Sequence, residues 1–112
     1  MGISRMYTGG DGETHIEDWH LESHPELTTL LAAKGVVFRS QPAGAFSDFH
    51  PAPRRQFVIT LSGEVEIGLA DGTVHRYGPG HVNLVEDVTG RGHTTRGVGD
   101  VPRVTATVQL VD

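Results

Sequence analysis

The chain contains no cysteine, so it can build neither a disulfide framework nor a thiolate nucleophile or thiolate metal site. That absence fits a reducing compartment. It has a single lysine, Lys34, which argues against Schiff-base chemistry. Cations are scarce beside anions: nine Lys and Arg against 14 Asp and Glu give a formal net charge of −5 and a pI near 5.7. A nucleic-acid groove needs clustered cations to displace counterions from phosphates, so no nucleic-acid partner is expected. No apolar run approaches the roughly 20 residues of a membrane helix, and the opening MGISRMYTGGDGETH lacks a signal-peptide core. The expectation is a soluble, cytoplasmic protein with no membrane partner.

At 112 residues and 37% hydrophobic content the chain has material for one compact domain and no second. Asp11, Glu13, Glu17, Asp18, Glu22 and Glu26 follow one another with no Lys or Arg among them, either as a solvated acidic face or as an acidic docking surface. Ser23 and Glu26 have the spacing of a capping box, Pro25 sits in the first turn, and LTTLLAAK precedes Gly35. This predicts one short helix over about 24–34. Residues 1–35 therefore read as an N-terminal extension with a short helix, and 36–112 as the main domain.

Beyond Gly35 the pattern becomes short β-rich runs separated by Gly, Pro and Asp, predicting strands over 36–39, 57–61, 65–69, 73–77, 82–85 and 104–111. Val65, Ile67 and Leu69 alternate with Glu66 and Gly68, as in a strand with one buried face. Asp71-Gly72 forms a hairpin turn between two such runs. Short strands with regular turns describe an all-β barrel or sandwich.

The segment 44–63, GAFSDFHPAPRRQFVITLSG, is the most specific stretch. Gly44, His50 and Gly63 stand at the spacing of the first motif of the cupin superfamily, which this stretch resembles. The resemblance implies a single-domain cupin-type, jelly-roll-like β-barrel with a ligand cavity. It covers about half the chain, from Gly44 to His93. Ala52 stands at the family's second His and Gln56 at its Glu. The second motif is matched loosely, from Gly80 to His93, with Glu86 at its Pro position.

On an extended segment His50, Ala52, Arg54 and Gln56 share one face. Pro51 and Pro53 deny that segment ladder donors, which places it at the barrel's lip. The resemblance implies that this face lines the cavity, where His50 and Gln56 are joined by His93. Those three are the candidate metal ligands, for one divalent Zn, Mn, Fe or Ni. A metal-free cavity of hydrogen-bonding residues is the alternative. In it His50 and His93 serve as general base and acid, and Arg54, Arg55 or Arg96 holds an anionic or enolate-like substrate, with Arg54 best placed by alternation. Arg54 and Gln56 are thus the candidate substrate-binding residues. Glu86 or Asp87 is expected to orient the His93 ring or accept a proton. His81 reads as a surface turn residue, and Gly90 and Gly92 as turn glycines. His15, His20 and His24 read as exposed, and Trp19 as packed on the barrel or covering its mouth.

Three functions remain open. The first is a small-molecule enzyme doing metal- or His-assisted proton transfer of isomerase, cyclase or lyase type, with a metal-dependent oxygenase as its redox variant. The second is a metal-free barrel that binds a small ligand without catalysis, in an essentially apolar pocket. The third is an interaction surface on the acidic segment. The resemblance further implies a homodimer paired through the sheets.

Overall fold

The computed structural model describes residues 2–112. Ten strands run in chain order: β1 Ile3–Thr8, β2 Thr14–Trp19, β3 Ala33–Gln41, β4 Phe46–His50, β5 Gln56–Ser62, β6 Glu64–Gly68, β7 Val74–Tyr77, β8 Val82–Glu86, β9 His93–Val98 and β10 Arg103–Leu110. They form a six-stranded sheet ordered β2-β1-β8-β5-β10-β3 and a four-stranded sheet ordered β4-β9-β6-β7. The chain is all-β, as expected, and each of the six predicted strands is present within a few residues. No helix among the described residues is long and apolar enough to cross a membrane.

The predicted helix over 24–34 is not formed. One 3-10 turn, Pro25–Thr28, stands in its place, and no side chain caps it. Ser23, the expected cap, bonds instead to the His20 carbonyl and the His24 ring. The Thr28 and Thr29 hydroxyls turn back onto the Pro25 and Glu26 carbonyls, a local alternative to helical bonding. Ala33–Lys34–Gly35 then open β3 rather than ending a helix.

Two stretches of the expected N-terminal extension, β1 and β2, are strands of the barrel itself. β1 pairs in parallel with β8 and antiparallel with β2, so the N-terminal segment supplies two strands of the larger sheet. Its Met6 is buried in the main core with Ala52, Val65, Ile67, Leu69 and Val85. The alternation read in β6 holds: Val65 and Ile67 are buried, and Glu64 and Glu66 are only partly so. The Asp71-Gly72 turn forms as expected, with Gly72 at φ +88° and the Asp71 carboxylate accepting from the Thr73 amide and hydroxyl.

Candidate functional site

A cavity of about 360 Å³ lies between the two sheets, within the roughly 300–1,000 Å³ usual for small-molecule sites. His50, Ala52, Arg54 and Gln56 all line it, and His93 joins them; residues 51–55 form no strand, so Pro53, which alternation would turn away, lines it too. Ala52 is buried and belongs to the core cluster, so a packed methyl group fills the position where the family resemblance has its second His.

The two histidines meet because β4 and β9 pair with His50 opposite His93, their ring centroids 5.0 Å apart. Gly92 makes this approach possible. Its φ is +79°, and a Cβ there would fall 1.9 Å from the His50 carbonyl oxygen. Only a residue without a side chain fits between the end of β4 and the start of β9.

Each ring is fixed through Nδ1. His93 Nδ1 lies 2.5 Å from Asp87 Oδ2, and His50 Nδ1 lies 2.7 Å from the Asp48 carbonyl oxygen. Both partners can only accept, so both nitrogens carry the proton and Nε2 is left to the cavity. Asp87 is fully buried. Its Oδ2 also accepts from the Thr14 hydroxyl of β2 at 2.8 Å, and its backbone carbonyl accepts from the Ala52 amide at 2.8 Å. Its Oδ1 has no partner among the described residues. The N-terminal segment thus reaches the site through Thr14, which the sequence did not single out.

Asp87, not Glu86, is the carboxylate that orients His93. The two neighbours point to opposite faces at the end of β8. Glu86 is absent from the cavity lining and sits between Arg5, at 2.6 Å, and Arg55. Burial alone would raise its pKa, but the bonds from Arg5 and Arg55 outweigh that and hold it below the ordinary value. Arg55 is thereby engaged outside, and Arg96 lies over the Phe46 ring 4.5 Å away, also outside the cavity lining. Of the three arginines proposed from sequence, Arg54 alone lines the cavity.

His81 closes the turn at 78–81 as expected, its amide donating to the Gly78 carbonyl, but its ring is half-buried in the cavity wall, stacked on Tyr77 at 3.7 Å. Its Nε2 lies 2.8 Å from Ser4 Oγ, whose own proton goes to Asn83 Oδ1, so the ring donates. Burial pushes its pKa down. The remaining histidines are peripheral: His15 pairs with Asp11 at 3.0 Å, and His24 stacks on Trp19 at 3.8 Å, away from the cavity. Arg39, Tyr77 and Arg103 also line the cavity and were missed from sequence, because each becomes visible only once strand register is known.

The divalent metal implied by the resemblance fits these residues poorly. His50, Gln56 and His93 offer two imidazoles and one neutral amide oxygen, and no group of three His, Cys, Asp or Glu able to hold a metal occurs among the described residues. The cavity lining contains Arg39, Arg54 and Arg103 and no carboxylate. A dication held by His50, Gln56 and His93 would have no anionic ligand to offset it, and Arg54, in the segment between His50 and Gln56, adds like charge.

No protein-family model matches this sequence, and no curated protein does. Solved structures do resemble it, each at 14% identity. The cupin domain of Cnp3 from Schizosaccharomyces pombe has a TM-score of 0.50, over 99% of this chain and 83% of that one. Protein NMB1881 from Neisseria meningitidis gives 0.49, over 85% and 100%. dTDP-4-dehydrorhamnose 3,5-epimerase from Bacillus anthracis gives 0.43, over 98% and 71%. Ten strands in two facing sheets around a polar cavity, together with the likeness to the Cnp3 domain, give this chain a cupin-type β-barrel fold.

Proposed function

We propose that the barrel is a small-molecule enzyme that moves a proton with His93 and His50, in isomerase- or lyase-type chemistry. The supporting observation is the buried Thr14–Asp87–His93 chain, which ends at an imidazole nitrogen facing a cavity beside a second fixed imidazole. A carboxylate behind the ring fixes the tautomer and balances the positive charge that arises when Nε2 takes a proton. In the simplest step His93 Nε2 takes a proton from a carbon next to a carbonyl, and the electron pair of the broken C–H bond moves onto that carbonyl's oxygen. His50, when doubly protonated, returns a proton from its own Nε2 to complete the isomerisation. A leaving group expelled from the neighbouring carbon would make the same intermediate an elimination.

The test is solvent deuterium incorporation followed by proton NMR over a panel of small 2-oxo and 3-oxo acids. Exchange in the wild type should fall about 10²- to 10⁴-fold in His93→Gln, the usual worth of a positioned general base. Asp87→Asn should lower it through loss of the Nδ1–H tautomer. A panel member that binds without exchange would support the non-catalytic binding barrel instead. Equal exchange in wild type and His93→Gln would refute the role of His93.

A further inference from the structure

The cavity is opposite in charge to the protein that encloses it. The chain carries a net −5, yet Arg39, Arg54 and Arg103 line the cavity and no Asp or Glu among the described residues does. Carboxylates are held outside by other cations: Glu86 by Arg5 and Arg55, Glu13 by Arg91, and Glu64 by Arg76.

Strand register gives the cavity two ends. On the larger sheet Gln56, Val85 and Met6 form one row, then Val58, Asn83 and Thr107, then Thr60, Thr105 and Arg39, and last Arg103 beside Gln41. The first row lies by His50 and His93, because Asp87 follows Val85 and the segment 51–55 joins His50 to Gln56. Arg103 is six residues along the ladder from that row, roughly 20 Å at 3.3 Å per residue. Tyr77 lies by the middle rows: it stacks on His81, whose ring meets Ser4 in the Asn83 row and whose carbonyl accepts from the Thr60 amide.

Arg103 has no ion pair among the described residues, and its buried Nε has no hydrogen-bond partner there. Burial pushes its pKa down, with nothing opposing. Elsewhere in the lining the Tyr77 hydroxyl is also buried and has no hydrogen-bond partner among the described residues; burial pushes its pKa up and the nearby Ser4 hydroxyl works against that. A half-buried guanidinium whose Nε–H is buried without an acceptor is costly, and in a cavity it suits an anionic ligand.

We propose that this end of the cavity is an oxyanion subsite, where Arg103, with Arg39 near it on the neighbouring strand, holds the carboxylate or phosphate of a small organic acid. This end is too far along the ladder from His50 and His93 for one small acid to span both, so the subsite does not rest on the proton-transfer reading and requires no turnover.

Isothermal titration with succinate, inorganic phosphate and neutral succinamide, at matched ionic strength, tests it. At least one oxyanion should bind the wild type and succinamide should not. Binding of phosphate alone or succinate alone assigns the headgroup. Arg103→Met should weaken binding about 10- to 100-fold, the worth of a charged hydrogen bond. Arg96→Gln, outside the cavity, should leave binding unchanged. Without ligand, Arg103→Met should melt at or above the wild type, because an unpaired buried cation has gone. No oxyanion binding, equal losses in both variants, or unchanged affinity in Arg103→Met would each overturn the proposal. If Arg103→Met does not fold, Arg103→Lys takes its place, and unchanged affinity in it overturns the proposal too, since the planar fork would be idle. His93→Gln should bind the anion as the wild type does; anion binding with no deuterium exchange in the wild type refutes the proton-transfer reading alone.

Discussion

Replacing Gly92 by alanine should be far more damaging than the same change at Gly72, although both glycines have positive φ, +79° and +88°. Alanine in the left-handed region costs about 1–2 kcal/mol at either site. At Gly72 nothing lies within 4 Å of the new methyl. At Gly92 the methyl would be 1.9 Å from the His50 carbonyl oxygen and 2.4 Å from the Pro51 nitrogen, both backbone atoms. Reaching an ordinary contact requires β4 and β9 to part by at least about 1.5 Å, at a further cost of about 1–3 kcal/mol, typical of overpacking. With an unfolding entropy near 2.1 cal/mol/K per residue, a chain of this length loses about 4 °C per kcal/mol. Gly92→Ala should therefore melt about 8–20 °C below wild type and Gly72→Ala about 4–8 °C below, by circular dichroism. The larger loss should be accompanied by reduced deuterium exchange, because the same displacement separates His50 from His93. If the two variants melted within about 2 °C of one another, the close approach of the β4 end to β9 would be wrong, and with it the pairing of the histidines.

Met6→Ala should cost about 2–5 kcal/mol in urea unfolding, the usual loss for a buried methionine; a cost under about 1 kcal/mol would mean that β1 does not complete the core. Glu86 has a folded pKa below its ordinary 4.5, so its stabilising contribution is fully present above that value and is lost as pH falls through the lower folded pKa. Glu86→Gln should therefore be less stable than wild type near neutral pH, and the gap should close on acidification below about pH 4.5; a gap that widens in acid would refute the double pairing with Arg5 and Arg55. The expected homodimer has a candidate edge in β3, an outer strand carrying exposed Val36 and Phe38. Light scattering should give a dimer at micromolar concentration and a monomer for Phe38→Lys, and a wild-type monomer would refute it.

The sequence displayed the strands whose buried residues are apolar and concealed those whose inward residues are polar. β6 was legible because Val65 and Ile67 are the buried pair. β9, HTTRGV, was absent from the predicted strands because its buried and half-buried positions are His93, Thr94, Thr95, Gly97 and Val98, of which only Val98 is a large apolar residue, and His93 and Thr95 line a cavity rather than a core. β1 was hidden similarly: buried Ser4 alternates with Met6 and is satisfied by His81 and Asn83, a network visible only in three dimensions. The choice between Glu86 and Asp87 was within reach, since strand parity puts Asp87 on the face of Val85 and Glu86 on the other.

Charge was the least legible property, for a reason that bears on function. Net charge describes the whole surface, and at −5 it argued only against polyanions that need a broad cationic face. A cavity takes its sign from the few side chains that register turns inward. Here Arg103 faces Gln41 across β10 and β3, and Arg39 faces Thr105, so neither meets a carboxylate across the ladder. An acidic exterior around such a pocket slows the approach of an anion but does not oppose its binding, because the exposed carboxylates are screened within about 8 Å at physiological salt while half-buried Arg103 is screened less. Raising ionic strength should therefore speed oxyanion association with the wild type while weakening it little at equilibrium. Stopped-flow rates that fall steeply with salt would instead mean that an exposed cationic surface, and not the Arg103 end of the cavity, captures the anion.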